Sequence, residues 1–114
     1  ELNGTTPGTG YDRLGVTGAV SLGGATLSVT VGYTPTGGDT FTIIQNDLAD
    51  SITGTFSGLA EGAMTTVGSY TFQITYAGGD GNDVVLTFVG CVSDVSGPTV
   101  TAPAGATVTQ TICQ

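Results

Sequence analysis

The chain has no histidine, no lysine and no tryptophan, and its only basic residue is Arg13. These absences exclude a good deal. Without histidine or lysine, no side chain is suited to general-base work near neutral pH. Serine and threonine hydroxyls have no base beside them to activate them, carboxylates apart. Two-carboxylate chemistry needs acids facing each other across a cleft. The pairs on offer, Asp47 with Asp50 and Asp80 with Asp83, each fall within one turn. The residues give no reason to expect an enzyme. Nine acids against one base leave a net charge of −8. A nucleic-acid backbone needs several cations to displace its counterions, so nucleic acid is excluded as a partner. Anionic membrane surfaces are disfavoured for the same reason. No apolar run approaches the roughly 18 residues that span a bilayer, so membrane insertion is not expected.

Charged residues make up 9% of the 114 positions, against a typical value of about 25%. Glycine (20 residues), threonine, valine and isoleucine fill the space. Many β-branched residues separated by glycine point to strands and turns. A domain of this length can bury roughly 65% of its unfolded surface, enough for a core. The opening "ELNGTTPGTG" reads as a strand end followed by a turn, without a signal peptide, as in a trimmed N-terminus.

Period two dominates. Leu14 and Val16 alternate, as do Leu27, Val29 and Val31 in "ATLSVTV". Phe41 and Ile43 alternate in "TFTIIQ", with Ile44 adding a second apolar face. Ile52 and Phe56 sit in "ITGTF", and Phe72, Ile74 and Tyr76 alternate in "TFQITY". Val84, Leu86 and Phe88 alternate in "VVLTFV", with Val85 and Val89 opposite, which predicts a strand buried on both faces. "SGLAEGAM" (57–64) is the one helical candidate, short and flanked by glycine. Turn signals separate the strands at 6–10, 23–24, 34–39, 46–50, 58–62 and 77–83.

Composition shifts after Gly90. Residues 1–90 read as one β-strand unit, and residues 91–114 as a cysteine-flanked β tail or linker. In the tail, "TVTA" (Thr99, Val100, Thr101) and "ATVTQTIC" (Val108, Ile112) look like two further strands. The two cysteines, Cys91 and Cys113, suit an oxidising, extracellular setting. A bond between them would close a loop of about 22 residues and stabilise by about 3 kcal/mol on the chain-entropy model. Cys113 is next to last and is an alternative partner for another chain; two unrelated buried thiols are the third reading.

One motif looks like chemistry. Gly78-Gly79-Asp80-Gly81-Asn82-Asp83-Val84-Val85-Leu86 fits the calcium nonapeptide G-G-x-G-x-D-x-U-x. Calcium wants six to eight oxygens, and a second copy of the motif is absent. Three glycines, Asn82 and Asp83 also suit a tight turn joining two strands of similar length. The turn is the favoured reading, with Asp80 and Asp83 kept as weak calcium candidates. Asn3-Gly4-Thr5 is an N-glycosylation sequon. Tyr11, Tyr33, Tyr70 and Tyr76 keep glycans open as a ligand class.

The ordered set "YDRLGVTGAVSLGGATLSVTV", "TPTGGDTFTIIQND", "ITGTFSGLAEG" and "YTFQITYAGGDGNDVVLTF" resembles the C-terminal unit of bacterial autotransporter-associated β-strand repeat proteins. The resemblance covers about residues 2–88. It implies a structural module of an exported bacterial protein with a β-helix passenger and no catalysis. The tail resembles, loosely, the start of Ig-like repeats in bacterial surface proteins. The expected fold is therefore all-β: a β-helix-like or rolled sheet closed by a 70–89 hairpin, with an antiparallel β-sandwich as the alternative. The expected function is that of an extracellular, cell-surface structural protein, a homopolymer subunit joined by strand pairing through the tail. A carbohydrate- or calcium-dependent adhesion module is the rival.

Overall fold

A computed structural model describes residues 1–91; the 91–114 tail, apart from Cys91, lies outside the described residues, and so do the strand positions Thr99, Val100, Thr101, Val108 and Ile112. The described chain is all-β. It has seven strands: β1 (Leu14–Val16), β2 (Val20–Ser21), β3 (Thr40–Asn46), β4 (Ile52–Thr53), β5 (Met64–Val67), β6 (Tyr70–Gly78) and β7 (Asp83–Cys91). Five form a mixed sheet in the order β1-β3-β7-β6-β5, and β2 and β4 form a small second sheet.

Two kinds of pairing build this fold. Residues 2–25 and 31–57 run alongside each other as two parallel coils. Leu2 bridges Val31, Leu14 pairs with Ile44, and Val20 pairs with Ile52, so the sequence offset stays nearly constant around the coil. The Ser57 amide donates to the Ala25 carbonyl at 2.8 Å and closes the second coil on the first. From residue 64 the pairing turns antiparallel. β5 folds back on β6, β6 on β7, and β7 lies against β3, capping the second coil.

The alternation in sequence explains the core. Phe41, Phe72, Ile74, Val84 and Leu86 are all fully buried on the inner face. β7 lies between β3 and β6, and Val84, Val85 and Leu86 in succession are buried, but Val89, expected on the same second face as Val85, is exposed, so only the first half of β7 is covered on both faces. A run of rings crosses from coil to cap: Tyr11 to Phe41, Phe41 to Phe72, Phe72 to Phe88 and Phe88 to Tyr70, with centroids 5.4 to 6.0 Å apart. Edge-to-face contacts of this kind add to simple area burial.

Several expectations change in detail. "ATLSVTV" keeps its period-two burial, yet Thr26–Thr30 form no ladder, because the coil bends them past Leu2 with only isolated bonds: Leu2 donates to Thr30 and Gly32 donates to Leu2, both at 2.7 Å. Residues 57–64 are turn rather than helix, since Gly58 and Gly62 both take positive φ (71° and 78°). β4 stops at Thr53, and Phe56 is buried in a bridged turn with Leu59. The β6–β7 connection is four residues, 79–82, because β6 runs on past Tyr76 to Gly78.

Candidate functional site

Two places in the described chain combine chemistry with position: the glycine-aspartate motif, and the open end of the first coil.

In the motif, Asp80 is exposed at the tip of the turn, where the Gly81 amide donates back to the Gly78 carbonyl at 2.8 Å. Asp83 is different. It is only 6% exposed and its Oδ1 accepts the Asn46 amide at 2.9 Å. The glycines make room for it. Gly79 sits at φ 58°, and a Cβ there would run into the Asp83 carboxylate, while a Cβ at Gly78 would run into Val85. Asn82, also buried, directs its side-chain amide at three backbone carbonyls, those of Asp47 (3.1 Å), Leu48 (3.0 Å) and Asp50 (2.8 Å). Those carbonyls converge because Leu48 takes a left-handed φ of 49°. Asn46 adds a fourth bond to the same turn, to the Asp50 carbonyl at 2.7 Å. Asp47 then reaches the first coil, accepting the Gly18 amide at 2.7 Å.

The motif is thus a clasp. Asn82 and Asp83 hold the 46–50 corner of the second coil, and Asp47 passes the hold on to the first. The structure places the two calcium candidates apart in role: Asp83 is spent on a buried backbone amide, and Asp80 faces solvent. Among the described residues no group of three or more His, Cys, Asp or Glu is arranged to hold a metal ion. Sequence reasoning misses the role of Asn82; a buried amide beside a turn rich in carbonyls carries no local signature.

The tyrosines are likewise engaged inside. The Tyr76 hydroxyl accepts the Phe56 amide at 3.0 Å and donates to the Leu59 carbonyl at 2.6 Å. Tyr11 accepts the Thr42 amide at 3.2 Å. Tyr33 donates to Asp39 at 2.8 Å, and its phenol is pushed up by burial, by that bond and by the Asp39 charge. Tyr70 stacks edge-on against Phe88. Asn3 is exposed, as a sequon requires. Asp12 meets the amino group of Glu1 rather than its neighbour Arg13.

At the other end of the molecule, β1 and β2 are the outer strands of their sheets. Val20 and Leu22 donate to the second coil at 3.2 and 3.0 Å. Ser21 between them turns its amide to the outside, by the alternation of a ladder. Leu14, aligned with buried Ile44, is 58% exposed because no strand lies beyond it among the described residues. The described chain also has a cleft of about 260 Å³. Leu2 of the first coil, Leu27 and Val29 between the coils, Ile43, Ile44 and Phe56 of the second coil and Leu86 of β7 line it. Its exposed rim is Glu1, Asp12 and Ser28.

Cys91, at the end of β7, is disulfide-bonded. The other cysteine of the chain, Cys113, lies outside the described residues. Among those residues no helix is long and apolar enough to cross a membrane. No family model, curated protein or solved structure matches the chain.

Proposed function

We propose that the protein is a non-enzymatic, extracellular structural subunit of a bacterial surface fibre or matrix, assembled by β-strand pairing between copies. The observation that carries this reading is the contrast between the two ends of the rolled sheet. Among the described residues β7 covers one end of the coil pair, while the outer edges of β1 and β2 at the other end, and of β5 at the far side of the sheet, carry no further strand. An open edge is a template for another strand unless charge, proline or a bulge blocks it. Lysine, the usual blocker, is absent from the chain. The disulfide at Cys91 suits an oxidising compartment. The resemblance to autotransporter-associated repeat units supports the same setting, and the clasp at 82–83 gives the motif a structural use that needs no metal. Residues 91–114 serve as the connecting element.

Size-exclusion chromatography and negative-stain imaging of the full chain over a range of concentrations test this. Growth into polymers with concentration is expected. A chain that stays monomeric throughout, especially one that binds a glycan or calcium saturably, favours the adhesion-module reading instead.

A further inference from the structure

We infer that Asn3-Gly4 is a self-modification site, at which the Gly4 backbone nitrogen attacks the Asn3 side chain and converts it, through a succinimide, to aspartate and isoaspartate. The inference stands independently of the assembly reading above.

The reaction needs a side-chain amide open to water, a following residue with no Cβ to crowd the attacking nitrogen, and a backbone amide not tied up in a hydrogen bond. The chain has three asparagines, Asn3, Asn46 and Asn82, and only Asn3 precedes a glycine. Asn3 is exposed. Its side-chain nitrogen, the leaving group, has one partner, the exposed Glu1 carboxylate, at 3.3 Å. The Asn3 amide is anchored to the Gly10 carbonyl at 2.7 Å, whereas the Gly4 amide donates to no partner among the described residues.

The comparable places in the chain each lack one of these conditions. Asn46 is 2% exposed, its side-chain nitrogen is bound to the Asp50 carbonyl, and the amide that would attack it, that of Asp47, is held by the Val16 carbonyl at 3.1 Å. Asn82 is buried, with its nitrogen on three carbonyls. Asp80-Gly81 has the exposure and the glycine for the same ring closure, but the Gly81 amide is held by the Gly78 carbonyl at 2.8 Å.

Solvent hydroxide removes the Gly4 amide proton and the nitrogen bonds to Asn3 Cγ. The Cγ–Nδ2 bond breaks and Nδ2 leaves as ammonia, taking a proton from water. A second hydration opens the ring. Attack at Cγ gives aspartate; attack at the Asn3 main-chain carbonyl gives isoaspartate, whose main chain runs through Cβ and Cγ. Overall one water is consumed and one ammonia is released. Isoaspartate lengthens the main chain by one carbon, and the turn that follows has no room for it. A Cβ at Gly10 would already lie 2.8 Å from the Thr6 nitrogen and 2.9 Å from the Gly4 carbonyl carbon. Both products also replace the donor that faces Glu1 with a carboxylate, which only accepts. Leu2, buried and bonded to Thr30 and Gly32, is seated by this same stretch, so conversion loosens the start of the first coil.

The test incubates the full chain at mildly alkaline pH and then cleaves it after Arg13, the only basic residue. This separates residues 1–13, with Asn3, from 14–114, with Asn46 and Asn82. By mass spectrometry, 1–13 should gain the mass of amide-to-acid conversion as two chromatographically distinct products, at a rate proportional to hydroxide, while 14–114 stays unchanged over the same time. Gly4→Ala should slow the conversion severalfold. Gly4 has no left-handed φ, and a Cβ there meets only the Gly10 Cα at 3.4 Å, so this variant should melt with the wild type. The separated isoaspartyl form should melt below the unconverted chain. No conversion in 1–13, equally fast conversion in 14–114, or an undiminished rate in folded Gly4→Ala overturns the site. An isoaspartyl form that melts with the parent overturns the loosening of the coil.

Discussion

The coil and the cap are made from the same kind of residue, yet they hold together differently. The cap is built of long strands: β6 and β7 are nine residues each, joined by a four-residue turn, and adjacent in both sequence and space. The first coil is built of much shorter strands, β1 and β2, paired with partners distant in sequence and stitched by isolated bonds. Burial follows the same division. The largest fully buried side chains, proline aside, lie in β3, β6 and β7. The first coil contributes only Leu2 and Tyr11 to the buried set and leaves Leu14 in solvent. The cap and β3 therefore hold most of the buried core, and the first coil holds least of it.

Truncating one side chain in each region should separate the two most widely. Phe72→Ala removes a fully buried ring that touches Phe41 and Phe88, and should cost about 3–5 kcal/mol in denaturant unfolding. Leu14→Ala should stay within about 0.5 kcal/mol. Equal losses would mean that the first coil is as firmly packed as the cap.

Next in size is the clasp between the regions. Asp83→Ala leaves the buried Asn46 amide unpaired and should cost about 1–3 kcal/mol, whereas exposed Asp80→Ala should change little. Calcium titrated into the wild type should leave the melting temperature nearly unchanged. A rise of many degrees that either substitution abolishes would make the motif a metal site. Gly79→Ala probes the same turn. At φ 58° an alanine costs about 1–2 kcal/mol, and its Cβ also collides with the Asp83 carboxylate.

The smallest expected effect is a pH dependence within the cap. Glu61 accepts the Thr75 hydroxyl and the Tyr76 amide, and these bonds hold its carboxyl below the usual range, the Thr75 bond most. A carboxyl with a depressed folded pKa stabilises fully above its unfolded pKa, and that stabilisation fades as pH falls through the folded pKa. Melting of the wild type should therefore decline on acidification more than that of Glu61→Gln. Parallel pH curves for the two would mean that Glu61 adds nothing to the cap.

How much of this is legible in the sequence follows the same division. β3, β6 and β7 announce themselves through Phe41, Phe72, Ile74, Leu86 and Phe88, although in β3 a bulge between Thr42 and Ile44 makes Ile44, rather than the expected Ile43, the next buried residue after Phe41. The unbroken run of Val84, Val85 and Leu86 shows the double burial of the first half of β7, while Val89, which the same pattern places inside, is exposed. β5 is hidden because Met64 faces outward and only Thr65 and Val67 face in, so its alternation is mostly polar. β2, a pair of residues, is too short to show any period. The alternation in "ATLSVTV" correctly marks which side chains face inward, but side-chain period says nothing about hydrogen-bond partners, and the coil supplies almost none there. Parallel pairing between segments so far apart in the chain has no local signature, and the β-helix expectation comes from the family resemblance rather than from the periodicity. At the clasp, the glycines and Asp83 read correctly as a turn. Asn82 does not declare its role, since its partners are carbonyls in a distant corner, at Asp47, Leu48 and Asp50.

β7 covers one end of the coil pair, and on the reading proposed above the edges of β1 and β2 at the other end are held open for strand pairing. Amide hydrogen exchange of the full chain, compared between dilute and concentrated solution, tests this most directly. The β6 and β7 amides should exchange slowly under both conditions, while those of Gly15 and Ser21 should exchange quickly when dilute and gain protection as concentration rises. Unchanged exchange at β1 and β2, with assembly visible in the same samples, would contradict it.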